Sequence, residues 1–377
     1  MIEITGTNTG NKGAELMLCA ILEKLRAERP GWKFSADSSL GSDFEHARYE
    51  LYHQFDIRRP GRSWLAMQFM PKSFRVAAGL ANASDTHVVI DASGFAFGLP
   101  HPLDRIRKFA EHAERAAGAG KPVILMPQAF GRMDEPAYAD CMRRIARAAR
   151  LIFAREPVSL EFARAAAGPY ASKIELAPDF TNLLSVLPQS KVGELDRVCI
   201  VPNVRMHTDA RSPDDAKRYL PMLVEACRAA RAAGSRPVVL VHDSGDHDLA
   251  EQLVRLYDGG LEVVAPQSPL DIKREIGRSR MVVASRFHAL VSALAQGVPV
   301  IATSWSHKYE QLLADYGCED MLLKSTDNVS LQEEMLKRGL GEGRNELLAT
   351  IQERGRALRV QTEGMWMQVL KQLEEVT

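Results

Sequence analysis

Residues 281–303 read MVVASRFHALVSALAQGVPVIAT, and this stretch decides the fold class. The apolar run Met281–Ser285 is followed by a segment rich in Ala and Leu. Gly297, a residue type that often ends a helix, comes next, and a second apolar run, Val298–Thr303, follows it. A strand, a helix and another strand in this order form a βαβ unit, in which the two strands are parallel. The sequence therefore predicts an α/β fold.

The same alternation extends to both sides of this unit and forms two series. In the second half of the chain the predicted strands are Arg197–Val204, Pro237–His242, Leu261–Ala265, Met281–Ser285 and Val298–Thr303. In the first half they are Met1–Gly6, Lys33–Asp37, His87–Ala92, Pro122–Pro127, Leu151–Arg155 and Lys173–Leu176. Amphipathic segments such as Gly13–Glu28 fill the gaps, which favours two parallel sheets covered by helices on both faces.

An irregular stretch around residues 186–193 separates the two series and is the predicted linker. We therefore expect an N-terminal Rossmann-like domain over residues 1–190, a C-terminal one over residues 195–340, and a helical segment over residues 341–377 that packs back on the first domain. A chain of 377 residues is long enough for two hydrophobic cores. Two Rossmann-like domains that face a cleft form a GT-B-like architecture.

Composition excludes several classes of protein. The 48 basic and 48 acidic residues cancel, so the net charge does not favour binding to nucleic acid. The five cysteines are widely spaced without a CxxC pair, which argues against a zinc cluster and a disulfide framework. The chain shows neither a signal-peptide pattern nor a run of about eighteen apolar residues. We expect a cytoplasmic protein.

Candidate chemistry lies in the loops after the strands, because ligands bind at the carboxyl ends of strands in open parallel sheets. Arg286 and His288 stand at the start of the helix that follows strand Met281–Ser285. A phosphate or carboxylate there would meet backbone N–H groups and a guanidinium fork. The imidazole of His288 can donate a proton near neutral pH. The alternative is structural, with Arg286 paired to a carboxylate of its own domain and His288 as a helix cap.

Several short motifs, in order along the chain, resemble those of polysaccharide pyruvyl transferases. They are Asn8–Glu15, Gln128–Gly131, Arg155–Ser159, Ala177–Asp179, Arg286–Ala289, Gly297–Pro299 and Lys308. Two loops depart from the family pattern. Gly13-Ala14-Glu15 stands where the family usually has Gly-Asp, and the loop Asp91–Gly98 has two aromatic residues in place of glycines.

The resemblance implies transfer of pyruvate from phosphoenolpyruvate to two hydroxyls of a saccharide, forming a ketal in the biosynthesis of cell-surface polysaccharides or glycans. It implies phosphoenolpyruvate as a co-substrate and no other cofactor. On this basis His288 is the expected proton donor and Arg286 a clamp for phosphate or carboxylate. The other expected donor-binding residues are Arg205, Asn203 and Lys308, although Arg205 and Lys308 can equally be ordinary surface cations.

The resemblance also places the saccharide on the N-terminal domain. The expected acceptor-binding residues are Asn8, Asn11, Asp91 and Gln128, with Asp91 the candidate base. Asn8 and Asn11 can instead be turn and cap residues, and Asp91 can be a helix cap. Whether the saccharide is lipid-linked, nucleotide-linked or polymeric is left open by the sequence.

Two further segments have competing interpretations. The polar run His242–Asp248 has the residue types of a metal site, but we interpret it as a loop in which Asp246 caps the helix from Leu249 onward, and we predict no metal. Residues 57–84 contain five basic and no acidic residues among large apolar ones. This segment is either a peripheral membrane contact or an insertion packed on its own domain.

Three other functions compete with pyruvyl transfer. A nucleotide-sugar glycosyltransferase shares the expected architecture. Many retaining members have two glutamates with seven residues between them, but here Cys318 stands where Glu310 would need its partner, and Glu319 is one residue too far. An inverting glycosyltransferase stays open. A carbohydrate-binding protein without catalysis is the second alternative, and Arg286 together with His288 argues against it. A dehydrogenase is disfavoured because Gly6, Gly10 and Gly13 are spaced too widely for a dinucleotide-binding loop.

Overall fold

The computed structural model describes residues 1–55, 70–208, 212–303, 307–324 and 329–375. The chain divides into two compact units. Unit 1 comprises Met1–Phe180 and Gln361–Thr377, and unit 2 comprises Thr181–Val360. The division therefore falls before the predicted linker, and the predicted C-terminal segment is shared between the two units. Each unit contains a parallel sheet with helices, so the predicted α/β fold with two Rossmann-like domains is confirmed.

Unit 1 contains a sheet of nine described strands in the order β4-β3-β2-β1-β5-β7-β8-β9, with β6 paired to β7. Every pairing in it is parallel. Its helices and strands are β1 (Ile2–Thr5), α1 (Lys12–Glu28), β2 (Phe34–Ala36), α2 (Asp43–Arg48), β3 (Leu51–Gln54), α3 (Lys72–Ala77), β4 (Leu80–Ala81), β5 (Val88–Asp91), β6 (Phe95–Phe97), α4 (Leu103–Gly118), β7 (Val123–Phe130), α5 (Pro136–Ala148), β8 (Leu151–Ala154), α6 (Pro157–Ala167) and β9 (Ile174–Leu176).

Unit 2 contains six described strands in the order β12-β11-β10-β13-β14-β15, again all parallel. Its helices and strands are β10 (Leu195–Val201), α7 (Arg205–Thr208), α8 (Pro213–Ala232), β11 (Arg236–Leu240), α9 (His247–Tyr257), β12 (Glu262–Val264), α10 (Pro269–Arg278), β13 (Ser279–Ala284), α11 (Phe287–Leu294), β14 (Val300–Thr303), α12 (His307–Asp315), β15 (Leu322–Leu323), α13 (Val329–Leu340) and α14 (Arg344–Glu374).

The apolar strand sequences explain why both sheets are central layers. All four residues of β5 and all eight of β7 are buried, as expected for strands covered on both faces. In unit 2 the interior residues of β10 and β13 form one core with helices such as α8 and α11. Strands that are buried on both faces cannot leave one face of the sheet in water, so helices must cover both faces.

Each sheet contains one point at which the strand order reverses. In unit 1 the chain proceeds outward from β1 to β4 and then returns to place β5 on the other side of β1. In unit 2 the same reversal lies between β10 and β13. The loops after these strands separate in opposite directions and leave a crevice at the carboxyl ends, which is where open α/β sheets bind ligands.

The last helix, α14, begins in unit 2 and ends in unit 1. In its unit 1 part the buried Trp366 meets the ring of Phe180 edge-on, with 6.2 Å between the ring centroids. Gln368 donates a hydrogen bond to Glu175 at 2.9 Å, and Arg29 pairs with Glu374 at 2.9 Å. The prediction that the C-terminal helix packs on the first domain is confirmed by these contacts. None of the described helices is both long and apolar enough to span a bilayer.

Candidate functional site

Arg286 and Asp246 form a two-point ion pair at the reversal point of the unit 2 sheet. The Nε and Nη2 atoms of Arg286 donate to the Asp246 carboxylate at 2.8 and 2.5 Å. Asp246 is fully buried and also accepts the backbone N–H of Val204 at 2.9 Å, which joins the loops after β10, β11 and β13. Asp246 is the N-cap residue of α9, as predicted, but its side chain makes no capping hydrogen bond to that helix and is instead bound by these two donors.

A group of buried polar side chains holds the backbone immediately before Arg286. The carbonyl of Ser285 accepts hydrogen bonds from Asn203 Nδ2 at 2.8 Å and from the Tyr309 hydroxyl at 2.9 Å. The Ser285 hydroxyl contacts those of Tyr219, at 2.6 Å, and Thr303. Burial raises the pKa of the Tyr219 phenol above its ordinary value. The start of α11 is therefore fixed from several directions.

Both polar atoms of the Asn203 side chain form hydrogen bonds within this arrangement. Its Oδ1 accepts the backbone N–H of Arg205 at 3.0 Å, and its Nδ2 is bonded to Ser285. Only 6% of the residue is exposed. The structure thus shows Asn203 as a residue that joins the loops, and direct contact between its amide and a donor molecule stays a prediction.

The remaining predicted donor-binding residues lie on the helices that begin at this end of unit 2. His288 is in the first turn of α11, with its ring edge-on to that of Phe287 at 5.6 Å between centroids. The Lys308 Nζ lies 5.7 Å from the centroid of the Phe287 ring and 5.4 Å from that of Tyr309. Arg205 is exposed in the first turn of α7. Two cations and an imidazole therefore accompany Arg286 in this unit.

Asp91 lies at the reversal point of the unit 1 sheet. The register of β1 and β5 places it beside Thr5, whose hydroxyl donates to the carboxylate at 3.0 Å. Ser93 donates its hydroxyl at 2.9 Å, and Gln128 donates Nε2 at 3.3 Å. Burial raises the pKa of the Asp91 carboxyl above its ordinary value, whereas these hydrogen bonds act in the opposite direction. Asp91 is thus a buried carboxyl group and not a helix cap.

The loop after β1 approaches the loop after β5 so closely that only glycine fits at Gly6. Its φ is +80°, and a Cβ atom there would lie 2.1 Å from the Ser93 hydroxyl. In the same loop, Asn8 accepts the backbone N–H of Asn11, and Asn11 caps α1 through Gly13 and Ala14. These contacts show Asn8 and Asn11 as turn and cap residues, and their contact with a saccharide stays a prediction.

Other motif residues have internal partners in unit 1. Glu15 is fully buried and binds Lys12 at 2.6 Å and the Tyr49 hydroxyl at 2.5 Å. Arg155 and Asp179, both buried, pair at 3.3 Å between the ends of β8 and β9. These contacts show that the residues stabilise the loops around the sheet.

The basic segment 57–84 lies partly outside the described residues, and Arg58, Arg59 and Arg62 are among those that are not described. Of the described ones, Arg75 is buried and forms an ion pair with Asp85 at 2.9 Å. A buried, paired guanidinium cannot reach a lipid surface. For Arg75 the structure therefore favours the alternative of an insertion packed on its own domain.

Comparison with protein families matches residues 11–307 to the family described as polysaccharide pyruvyl transferase. This range includes all the motif residues named above except those before Asn11 and Lys308. A comparison with curated protein sequences gave no match.

Solved structures with a similar fold include three that match almost the whole chain. UDP-GlcNAc 2-epimerase from Neisseria meningitidis, bound to UDP-GlcNAc, has a TM-score of 0.60 and 11% identity, covering 98% of this chain and 100% of its own. A glycosyltransferase from Rickettsia africae has a TM-score of 0.57 and 11% identity, with coverage of 100% and 97%. Anabaena HepE in complex with UDP-glucose has a TM-score of 0.54 and 14% identity, with coverage of 99% of each chain. At these identities the likeness shows the fold alone, and it agrees with the predicted GT-B-like class.

Proposed function

The chain belongs to the polysaccharide pyruvyl transferase family, and from this we propose that it transfers the pyruvyl group of phosphoenolpyruvate to two hydroxyls of a saccharide. The product is a cyclic ketal, and phosphate is released. The observation that carries the proposal is the fixed arrangement of Arg286 and His288 at the start of α11, at the reversal point of the unit 2 sheet.

The charges at this point suit a donor with two anionic groups. Arg286 uses two of its five N–H donors on Asp246, and its Nη1 also lies 3.9 Å from the Asp243 carboxylate, beyond hydrogen-bond distance. Three N–H donors can therefore bind a carboxylate or phosphate. The first N–H groups of α11 have no partner within the helix and add a positive dipole end. Lys308 and Arg205 supply the charge for the second anionic group. We propose that unit 2 binds phosphoenolpyruvate with these groups.

The reaction needs one proton donor and one proton acceptor. His288 gives a proton to the methylene carbon of phosphoenolpyruvate, which becomes the methyl group of the ketal. Two saccharide oxygens form bonds to the neighbouring carbon while its bond to the phosphate oxygen breaks. The saccharide loses two protons: one restores His288 and the other leaves with phosphate, so that atoms and charge balance. Asp91 is the proposed base that takes the second proton from a saccharide hydroxyl before it passes to the departing phosphate, and this role is supported by its buried position and raised pKa.

Thermal unfolding with and without ligand tests the choice of donor, because a ligand that binds only the folded protein raises its melting temperature. We expect phosphoenolpyruvate to raise it and UDP-sugars to have no effect. Arg286→Gln should abolish the increase, measured against the melting temperature of that variant alone. Arg274→Gln, on the exposed face of α10, is the matched control and should keep it.

A nucleotide-sugar glycosyltransferase is the second candidate. It is favoured by the similar folds of proteins solved with UDP-GlcNAc or UDP-glucose. If UDP-sugars stabilise the protein and phosphoenolpyruvate does not, this second function replaces the first.

A further inference from the structure

A cavity of about 350 Å³ lies within unit 1, between helix α4 and the carboxyl ends of β1, β2, β3 and β5. Its size falls within the range of about 300–1,000 Å³ that is usual for small-molecule sites. It includes the reversal point of the sheet, because Asp91, Thr5 and Gly6 are all part of its wall. Its position and size indicate a ligand site.

The sheet side of the cavity is acidic and hydroxyl-rich. Asp91 and Ser93 follow β5, and Asp37 and Ser39 follow β2. Among the residues that the structure describes, the Asp37 carboxylate accepts hydrogen bonds from Ser39 alone. Carboxylate and hydroxyl oxygens accept hydrogen bonds from the hydroxyls of a saccharide.

The helix side of the cavity is cationic. Arg105, Lys108, His112 and Arg115 line it, and their spacing of three to four residues places them on one face of α4. His112 is already paired with the buried Glu3, with 3.1 Å between Nε2 and Oε1. By contrast, neither Arg105 nor Arg115 forms a side-chain hydrogen bond or ion pair with any residue that the structure describes. Their guanidinium groups can therefore bind an anion.

Aromatic rings complete the wall. Phe97 and Phe109 meet edge-on at 5.1 Å between centroids, and Phe55 lies on the same cavity. Flat apolar rings pack against the C–H faces of a sugar ring, whereas a small inorganic anion gains nothing from them. The combination of carboxylates, aromatic rings and arginines fits a ligand that is both a sugar and an anion.

We propose that this cavity binds a saccharide that carries a phosphate or carboxylate group, with its hydroxyls toward Asp91 and its anionic group toward Arg105 and Arg115. The inference rests on the proposed function, because this saccharide is the acceptor of the pyruvyl group. It adds that the acceptor is anionic before pyruvate is attached. A planar guanidinium fork recognises either anion through paired hydrogen bonds.

Calorimetric titration of the full chain tests the inference with matched sugars. Glucose, galactose, mannose and N-acetylglucosamine are each compared as the methyl glycoside, the 1-phosphate and, for the first three, the uronate. At least one charged form should bind roughly tenfold or more tightly than its methyl glycoside, as expected for charge-assisted hydrogen bonds. The uronates and 1-phosphates show which anion is preferred, and inorganic phosphate alone should bind weakly.

Variants then test whether Arg105 and Arg115 cause the preference for the charged form of the sugar. The double change Arg105→Gln and Arg115→Gln should remove most of the preference for the charged form, and it alters only exposed side chains. Arg107→Gln is the matched control, because Arg107 is on α4, pairs with Asp104 and does not line the cavity. It should keep the full preference.

Four results would overturn the inference: equal affinity for charged and uncharged forms throughout the panel, a preference that survives the double change, equal binding of inorganic phosphate, or loss of phosphoenolpyruvate affinity in the double variant. The last would make the cavity the donor site. Failure of the proposed function is distinguishable, because the wild-type protein would then bind the charged sugar and not phosphoenolpyruvate.

Discussion

Arg286 is held by a carboxylate that is itself fully buried, because Asp246 has 0% relative exposure and meets the guanidinium at two points. The plane of the guanidinium is therefore fixed relative to α11, and its outward N–H groups are positioned before any ligand arrives. Such preorganised donors are the main way in which proteins stabilise charge on a reacting group. The pair also gives Arg286 a role in folding, beside its proposed role in binding.

We expect strong coupling between Arg286 and Asp246 in a double-mutant cycle. Arg286→Ala leaves the fully buried Asp246 carboxylate without its ion pair and should lower the free energy of unfolding by about 3–5 kcal/mol. Asp246→Ala should cost less, because the Arg286 guanidinium is part-buried and keeps Asp243 at 3.9 Å. The double variant should lose much less than the sum of the two, because neither charge remains. Urea unfolding of the four proteins measures this, and additive losses would show that the ion pair contributes little.

Asp91 should make stability depend on pH. Because its folded-state pKa is raised by burial, its stabilising contribution is fully present below its unfolded pKa, near 4, and is lost as pH rises through the folded value. Asp91→Asn cannot ionise and should avoid this loss. Relative to wild type, its unfolding midpoint in urea should therefore rise between about pH 4 and about pH 7. Asp140→Asn, at an exposed site on α5, should show no such trend.

Arg75 should stabilise unit 1 through its buried pair with Asp85. Arg75→Ala leaves Asp85 uncompensated and is expected to cost about 3–5 kcal/mol in urea unfolding. Lys72→Ala, on the exposed side of the same helix α3, should change stability by less than about 0.5 kcal/mol. Similar small effects of both changes would mean that Arg75 does not hold this segment.

Much of the fold could be predicted because the apolar strands alternate with helical segments, and this pattern depends only on local sequence. Four described strands, β3, β4, β6 and β15, are absent from the sequence prediction for a local reason too, and β6 and β15 have only three and two residues. Leu51–Gln54 is half polar and Leu80–Ala81 has two residues, so neither gives a run that stands out from a loop. They are strands because they pair with a sheet already formed.

Of the candidate site, the sequence could predict only those residues that are identified by their position at the end of a strand or the start of a helix. Arg286 and His288 were found because a strand end followed by a helix start identifies them. The link from Arg286 to Asp246 could not be found, because it joins loops forty residues apart through tertiary contact. The same holds for the cations of α4, whose importance depends on the cavity beside them.

His288→Ala should separate binding from chemistry. Loss of a general acid is expected to lower turnover by about a hundredfold or more while affinity for phosphoenolpyruvate is largely kept. His247→Ala is the control, because His247 is exposed at the start of α9 in the same unit. A variant with near wild-type turnover but weaker donor binding would make His288 a binding residue.

The most direct test of pyruvyl transfer measures phosphate release from phosphoenolpyruvate together with the mass of the saccharide. With an extract of cell-envelope saccharides as acceptor, the wild-type protein is expected to release one phosphate for each saccharide that gains a pyruvyl ketal. Both signals should depend on added phosphoenolpyruvate and should form about a hundredfold or more slowly with the His288→Ala protein. Saccharide modification that requires a UDP-sugar, and proceeds without phosphoenolpyruvate, would contradict pyruvyl transfer.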